Sequence, residues 1–161
     1  MDRLKARIVI LNYNGEEMMA KCLPSIREAV RYAKTPTTVT ILDNLSADNS
    51  EAFVRKHFPE MEFIKAPENL VLCSYNDYLQ RITEPIAILL NNDIRVDMNF
   101  IDPLVEKFAE DPSAFLVAPR VMSFDGKTIE AVDTRAEMKF GMFWASARYP
   151  GYRAHTMVSS E

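Results

Sequence analysis

Amides and carboxylates close three apolar runs of this chain. Asn12-Tyr13-Asn14 follows Ile8-Val9-Ile10-Leu11, Asp43-Asn44 follows Val39-Thr40-Ile41-Leu42, and Asn91-Asn92-Asp93 follows Ile86-Ala87-Ile88-Leu89-Leu90. A carboxylate accepts from a base N–H or from sugar hydroxyls, a carboxamide both donates and accepts, and a hard cation wants oxygen ligands. Gathered together, such residues suit a polar ligand that carries phosphate and a counter-ion. Each cluster alone reads equally well as a strand-ending turn, because Asn and Asp favour turns through local side-chain hydrogen bonds. Ser46-Ala47-Asp48 alone reads as a plain helix cap. The recurrence of the pattern at three successive ends is what points to a site.

The elements that must position these residues alternate along the chain. Short, near-continuous Ile/Val/Leu runs are how strands look when both faces are covered, as in a parallel sheet. Glu16–Lys34 has helical spacing, with Pro24 predicting a kink or a short turn into a second helix. A strand follows at Thr37–Leu42, then a helix over Glu51–His57 that Ser46 or Asp48 would cap. Glu62–Lys65 is a short strand, Ser74–Ile82 a helix, and Ile86–Leu90 the most buried strand. Asp97 would cap a helix at Phe100–Glu110, and Phe115–Ala118 reads as a further strand. This order predicts an α/β three-layer sandwich with a mostly parallel central sheet. Right-handed crossovers would bring the polar strand ends to one edge, where open α/β sheets bind ligands. Further on, Asp125-Gly126 within Met122–Thr128 signals a hairpin turn. Phe140–Tyr152 is aromatic without a clean period, which reads as a loop or partly ordered tail, or more sharply as a flap over a ligand.

At 161 residues and 48% apolar content the chain can bury a real core. Its net charge of −4, from 19 basic and 23 acidic residues with no basic block, argues against nucleic acid as a partner. No run is long enough to span a bilayer, and the opening apolar stretch is too short for a signal peptide. A cytoplasmic protein is expected, with a peripheral place at the inner face of the membrane left open. Cys22 and Cys73 lack metal-ligand spacing and read as free thiols, buried or half-buried. His57 and His155 stand alone, as surface or helix-end residues, so a zinc site has little support. The four glycines, Gly15, Gly126, Gly141 and Gly151, form no phosphate-cradling loop. A divalent cation on a carboxylate, with Asp93 placed for it, would have to neutralise phosphate instead.

Several segments resemble the family 2 glycosyltransferases. Ile8-Val9-Ile10-Leu11-Asn12-Tyr13-Asn14-Gly15 is similar to the family's opening strand. Leu42-Asp43-Asn44-Leu45-Ser46-Ala47-Asp48-Asn49-Ser50 resembles its Asp-Asn-x-Ser-x-Asp-x-Ser motif. Pro67-Glu68-Asn69-Leu70 matches its Pro-Glu-Asn-Leu turn, and Leu89-Leu90-Asn91-Asn92-Asp93 its variant Asp-x-Asp region. The likeness covers roughly Ala6 to Val121. It implies an A-type glycosyltransferase fold in which residues 1–121 bind the nucleotide sugar and 122–161 begin an acceptor-side region, truncated or partly ordered. It further implies metal-assisted, inverting transfer of a sugar from a nucleoside diphosphate sugar, UDP or dTDP favoured, to a hydroxyl of a glycan or lipid-linked acceptor in polysaccharide biosynthesis. By the same likeness Asn12, Tyr13 and Asn14 line the nucleoside pocket, Asp43 bonds the base or ribose, and Asn69 lies near the base. Asn91 reaches the ribose or sugar, Asp93 ligates Mg²⁺ or Mn²⁺, and Ser46, Asp48, Asn76 and Asn92 belong to the same donor site.

Two departures stand out. Family members usually have Gly after Pro-Glu-Asn-Leu, where this chain has Val71; a side chain there would narrow the space or change the turn, since Gly tolerates positive φ. The family's downstream acidic pair, which supplies the general base, has no counterpart among the scattered Glu130, Asp133, Glu137 and Glu161. A truncated donor-binding half is the expectation, ahead of a short relative without transferase activity. Two other readings stay open, a non-catalytic nucleotide-binding or scaffolding module of the same fold, and a nucleotidyltransferase. The latter normally needs a Gly-rich basic loop, which Asn12-Tyr13-Asn14-Gly15 is not.

Overall fold

The structure is a computed structural model that describes residues 4–123, 125–131, 134–139, 142–147 and 158–159, with side chains only among 4–123 and 125–128. The chain divides into two compact units, Met1–Val105 and Glu106–Glu161.

In the first unit, β1 (Ala6–Asn12), β2 (Thr37–Asp43), β3 (Glu62–Lys65) and β4 (Ile86–Asn91) form one parallel sheet in the order β3-β2-β1-β4. The crossovers hold α1 (Glu16–Tyr32), α2 (Ser50–His57), and a 3₁₀ turn at Val71–Cys73 leading into α3 (Ser74–Leu79). The sheet grows outward from β1 to β3 and then returns to place β4 on the far side of β1. With right-handed crossovers this reversal puts α1 and α2 on one face and α3 on the other. Accordingly Val9, Leu42 and Ala66 pack with Tyr75 and Tyr78 of α3. Ile8, Ile10 and Ile41 alternate to the opposite face and are fully buried there. Both faces of β1 and β2 are therefore covered, as their continuous apolar runs require.

Three expectations for this unit change. The helix α1 runs through Pro24 as a single element, so no second helix forms. The missing N–H costs about 3 kcal/mol. Burial of Met19, Cys22, Leu23, Ile26 and Ala29 along one side outweighs it, at about 1.5–3 kcal/mol for each large side chain. The most buried strand is β1, not β4. Among the described strands β4 has only β1 beside it, and Leu89, next to Val9 in register, is 45% exposed. The third change is at α3, which stops at Leu79 rather than Ile82.

At the amino-terminal end of the sheet, Arg7 forms ion pairs with Glu84 at 2.8 Å and Glu62 at 2.7 Å and donates to the hydroxyls of Thr40 and Tyr78. This network lies roughly 16 Å along the strand from Asn12, at about 3.3 Å per residue. After α1, the backbone N–H groups of Lys34 and Thr35 donate to Asp102 of α4 (Ile101–Glu110), a helix that runs across the boundary between the units.

The second unit contains β5 (Val121–Met122) paired antiparallel with β6 (Ile129–Ala131), and an antiparallel sheet of β7 (Thr134–Lys139), β8 (Met142–Ala147) and β9 (Val158–Ser159). The expected hairpin turn is present, with Gly126 at φ +72 and its N–H donating to the Ser123 carbonyl. Phe124 lies outside the described residues. The stretch Phe140–Tyr152 is not simply a loop, because β8 takes up Met142–Ala147 and ladders with two neighbours. Phe140, Gly141 and residues 148–152 lie outside the described residues, and the flap reading with them. Phe115–Ala118 does not form the expected strand. Phe115 and Leu116 are exposed, and without a ladder partner a short apolar run has no reason to hold strand form.

Candidate functional site

Where strand order reverses, a crevice opens beyond the carboxyl ends of the two diverging strands. Here those strands are β1 and β4. Parallel register pairs Asn12 with Asp43 and Leu11 with Asn91, so the polar ends of β1, β2 and β4 share one edge.

At that edge the side chains form a connected network. Asn12 is 0% exposed, and its Nδ2 donates to Asp43 Oδ1 at 2.8 Å and to Ser46 Oγ at 3.1 Å. Asp43, 1% exposed, also accepts from the Ser46 backbone N–H at 2.9 Å and the Ser46 hydroxyl at 2.5 Å. Asn92 Nδ2 then donates to Asn12 Oδ1 at 2.8 Å, which ties β4 to β1. The Asn14 N–H donates to Ser46 Oγ, and the Ala47 N–H to Asn14 Oδ1. The two fully buried members, Asn12 and Asp43, both have partners, and hydrogen bonds linked in this way at low dielectric rigidify their surroundings. Asp43 thus spends its oxygens on protein donors and holds the rim in shape.

Gly15 makes this possible. A Cβ at that position would lie 1.9 Å from Asn92 Nδ2 and 2.4 Å from Asn12 Oδ1. The sequence showed Gly15 only as a glycine outside any phosphate loop; its place directly between a strand end and a helix start was the available signal. Asp48 braces the same region from the outside, accepting from the N–H groups of Glu16 and Ser50 at the starts of α1 and α2. Burial pulls its carboxyl upward, but the hydrogen bonds from Ser50 and Glu16 more than offset this and leave it below the usual carboxylate range. Of the two expected caps, Asp48 bonds the first turn of α2, while Ser46 serves the network.

Beside the network lies the Asn69–Cys73 turn. Val71 keeps φ at 55, the left-handed region that glycine enters freely and a β-branched residue does not. Three hydrogen bonds hold it there: Asn44 Nδ2 to the Val71 carbonyl at 3.0 Å, the Val71 N–H to Asn69 Oδ1 at 3.1 Å, and the Leu70 N–H to Ser74 Oγ at 3.2 Å. The Val71 side chain is 68% exposed, so it projects outward. Cys73 is also exposed, against expectation, because the turn carries it to the surface, whereas Cys22 is buried in α1. Asn44 and Tyr75 had no assigned role from the sequence. Tyr75 donates to the Leu90 carbonyl at 2.7 Å and steadies the end of β4, and burial pushes its hydroxyl up to about 12. His57 sits at the exposed end of α2 beside Phe53, and His155 lies outside the described residues.

Tyr13, 56% exposed, stands at the rim with Asn14, Asn69, Asn76, Asn91 and Asp93 exposed and Asn92 half-buried. Asp93 is exposed and directly follows the Asn92 that bonds Asn12, at the same end of β4. Among the described residues no cluster of three or more His, Cys, Asp or Glu could hold a metal unaided. A single exposed carboxylate with amide oxygens nearby fits a Mg²⁺-type ion that keeps waters and takes its remaining ligands from phosphate. No described helix is long and apolar enough to cross a membrane.

The likeness to solved structures shows that this covered parallel sheet is that of the A-type glycosyltransferase fold. A mannosyltransferase from Pyrobaculum calidifontis, solved with GDP-Man and Mn²⁺, matches with TM-score 0.56 and 20% identity over 70% of this chain and 34% of that one. TarS from S. aureus matches with TM-score 0.57 and 14% identity over 84% of this chain and 42% of that one, and it has also been solved with UDP-GlcNAc. The chain thus spans less than half the length of these structures. Comparison with curated proteins returns no match. The chain belongs to glycosyl transferase family 2, whose sequence profile matches residues 7–157.

Proposed function

We propose that the chain is the donor-binding part of a glycosyltransferase that moves a sugar from a nucleoside diphosphate sugar to an acceptor hydroxyl, with metal assistance and inversion. The meeting of the β1, β2 and β4 ends on one edge, with Asp93 exposed there, carries this reading. Residues 1–121 would bind the donor, and 122–161 would begin the acceptor side. The exposed ring of Tyr13 is available to stack a base, Asn14 and Asn69 to bond the nucleoside, and Asn91 to accept from ribose or sugar hydroxyls. Asn76, exposed at the start of α3, completes the polar rim. Asn12, Asp43, Ser46 and Asp48 hold these groups in place, which lowers the cost of ordering them on binding. Asp93 would hold Mg²⁺ or Mn²⁺, which when bound neutralises the charge that develops on the departing diphosphate. The acceptor would be a glycan or lipid-linked sugar of polysaccharide biosynthesis, met in the cytoplasm or at the inner face of a membrane.

One observation favours a second reading, a nucleotide-binding module without transfer chemistry: no two acidic residues are adjacent between Val121 and Glu161. A thermal-shift panel of UDP, dTDP, GDP and CDP with and without Mn²⁺ tests the shared part of both. Ligand at about a hundred times its Kd adds about 2.7 kcal/mol, or roughly 5–10 °C in Tm at this size. A metal-dependent shift is expected with UDP or dTDP, and Asp93→Ala should abolish it. The absence of any shift across the panel would overturn donor binding. Transfer by a longer chain that carries a downstream acidic pair separates the two readings: the donor-binding part should become active there, and the module should not.

A further inference from the structure

The network has a direction, and it ends on an atom that no described residue uses. A carboxylate only accepts, so Asp43 compels Asn12 to face it with Nδ2, and the 2.8 Å contact shows this arrangement. Asn12 Oδ1 must then face the other way, where it accepts from Asn92 Nδ2 at 2.8 Å. The Asn92 carboxamide is thereby fixed in turn. Its nitrogen is committed to Asn12, and its planar geometry points Oδ1 away from that bond. Among the described residues no donor meets Asn92 Oδ1. Gly15 locks the arrangement from below, since its missing side chain is the space that the Asn92 amide fills. Asn92 is half-buried and directly precedes the exposed Asp93.

We infer that the Asp43–Asn12–Asn92 chain is a positioning relay which presents Asn92 Oδ1, beside Asp93, as a neutral oxygen ligand for a divalent cation. The inference rests on the donor-binding reading above and deepens it. Hard cations take neutral amide oxygens alongside carboxylates, and a neutral second ligand adds no charge to oppose the incoming diphosphate. Asp43 takes part without touching the cation: it selects which end of two successive amides faces outward.

The test uses Mn²⁺ as probe, with its free concentration read by EPR, in the presence of whichever nucleoside diphosphate gives the thermal shift. Asn92→Ala removes the oxygen and should weaken Mn²⁺ at least fivefold. Asn92→Asp keeps an oxygen and adds a negative charge whose attraction for the cation outweighs the lost N–H to Asn12, so it should bind Mn²⁺ at least as tightly as the parent chain. If Asn92 merely braces the turn, the two variants lose Mn²⁺ affinity alike, and that result overturns the relay. Unchanged affinity in Asn92→Ala overturns it too. Circular dichroism checks that each variant is folded. Should Asn92→Ala not fold, Asn92→Asp against the parent decides the matter, weaker binding counting against the relay. In the parent protein already mixed with the nucleotide, adding Mg²⁺ should move the Asn92 carboxamide ¹³C resonance; a still Asn92 signal would count against the relay. A parent chain that binds no nucleoside diphosphate with metal overturns the functional reading and the relay together. Binding by the parent with indifferent Asn92 variants overturns the relay alone.

Discussion

Gly15→Ala gives the sharpest stability test of the rim. Gly15 has φ −114, so alanine meets no backbone objection and any penalty comes from contact. The new Cβ would sit 1.9 Å from Asn92 Nδ2 and 2.4 Å from Asn12 Oδ1. Asn12 cannot retreat, because Asp43 and Ser46 hold its other end. Asn92 must leave, which strands a buried acceptor at a cost of about 1–3 kcal/mol. Residual overpacking adds about 1–3 kcal/mol. Together the loss is roughly 2–5 kcal/mol, out of the 5–15 kcal/mol typical of a domain, or roughly 5–15 °C in Tm. Urea unfolding followed by circular dichroism measures it. Gly126→Ala is the control: nothing lies within 4 Å of its Cβ, and only its φ of +72 opposes the change, for about 1 kcal/mol. A Gly15→Ala protein within about 0.5 kcal/mol of the parent would refute the close approach of Asn92 and with it the tie between β1 and β4.

Two more outcomes follow from the same structure. Val71→Gly removes a left-handed strain of about 1–2 kcal/mol and restores glycine's backbone entropy cost of about 0.5–1 kcal/mol, so urea unfolding should show a net gain of about 0.5–1 kcal/mol; a loss would mean that the turn does not hold positive φ. The Arg7 guanidinium holds the Glu84 carboxyl down at about 2, below its ordinary 4.5, so its contribution is full above about pH 4.5 and is lost as pH falls through about 2, on the order of 3 kcal/mol. The stability difference between the parent chain and Glu84→Gln should therefore be large at pH 7 and close as pH approaches 2, and a difference that persists there would contradict the pairing.

Much of the sheet was legible because strands covered on both faces leave a near-continuous apolar trace, as Ile8–Leu11 and Val39–Leu42 do. The shared edge of their polar ends followed from parallel pairing. What the sequence concealed depends on partners far away in the chain. Asp43 reads as an open carboxylate until the strand register places Asn12 and the following turn places Ser46 against it. The strand-to-helix junction marks Gly15 but not what it makes room for, since that atom lies 77 residues later. The exposure of Leu89 was hidden for a related reason: an apolar run records the need for cover and says nothing of which element provides it. Pro24 misled because local preference gave way to the buried side of α1.

The hydrogen bonds that Asn44, Asn69 and Ser74 give to the Val71 turn bear on how such chains are found. Three donors and acceptors do here what backbone freedom does elsewhere, so the bend survives the substitution that a motif search would score as a loss. Relatives that lack the glycine are better sought by asking whether those three polar residues persist together around the gap. A chain that has lost both would have little means of turning at this point, and its polar edge would be expected to differ in outline as well as in residue type.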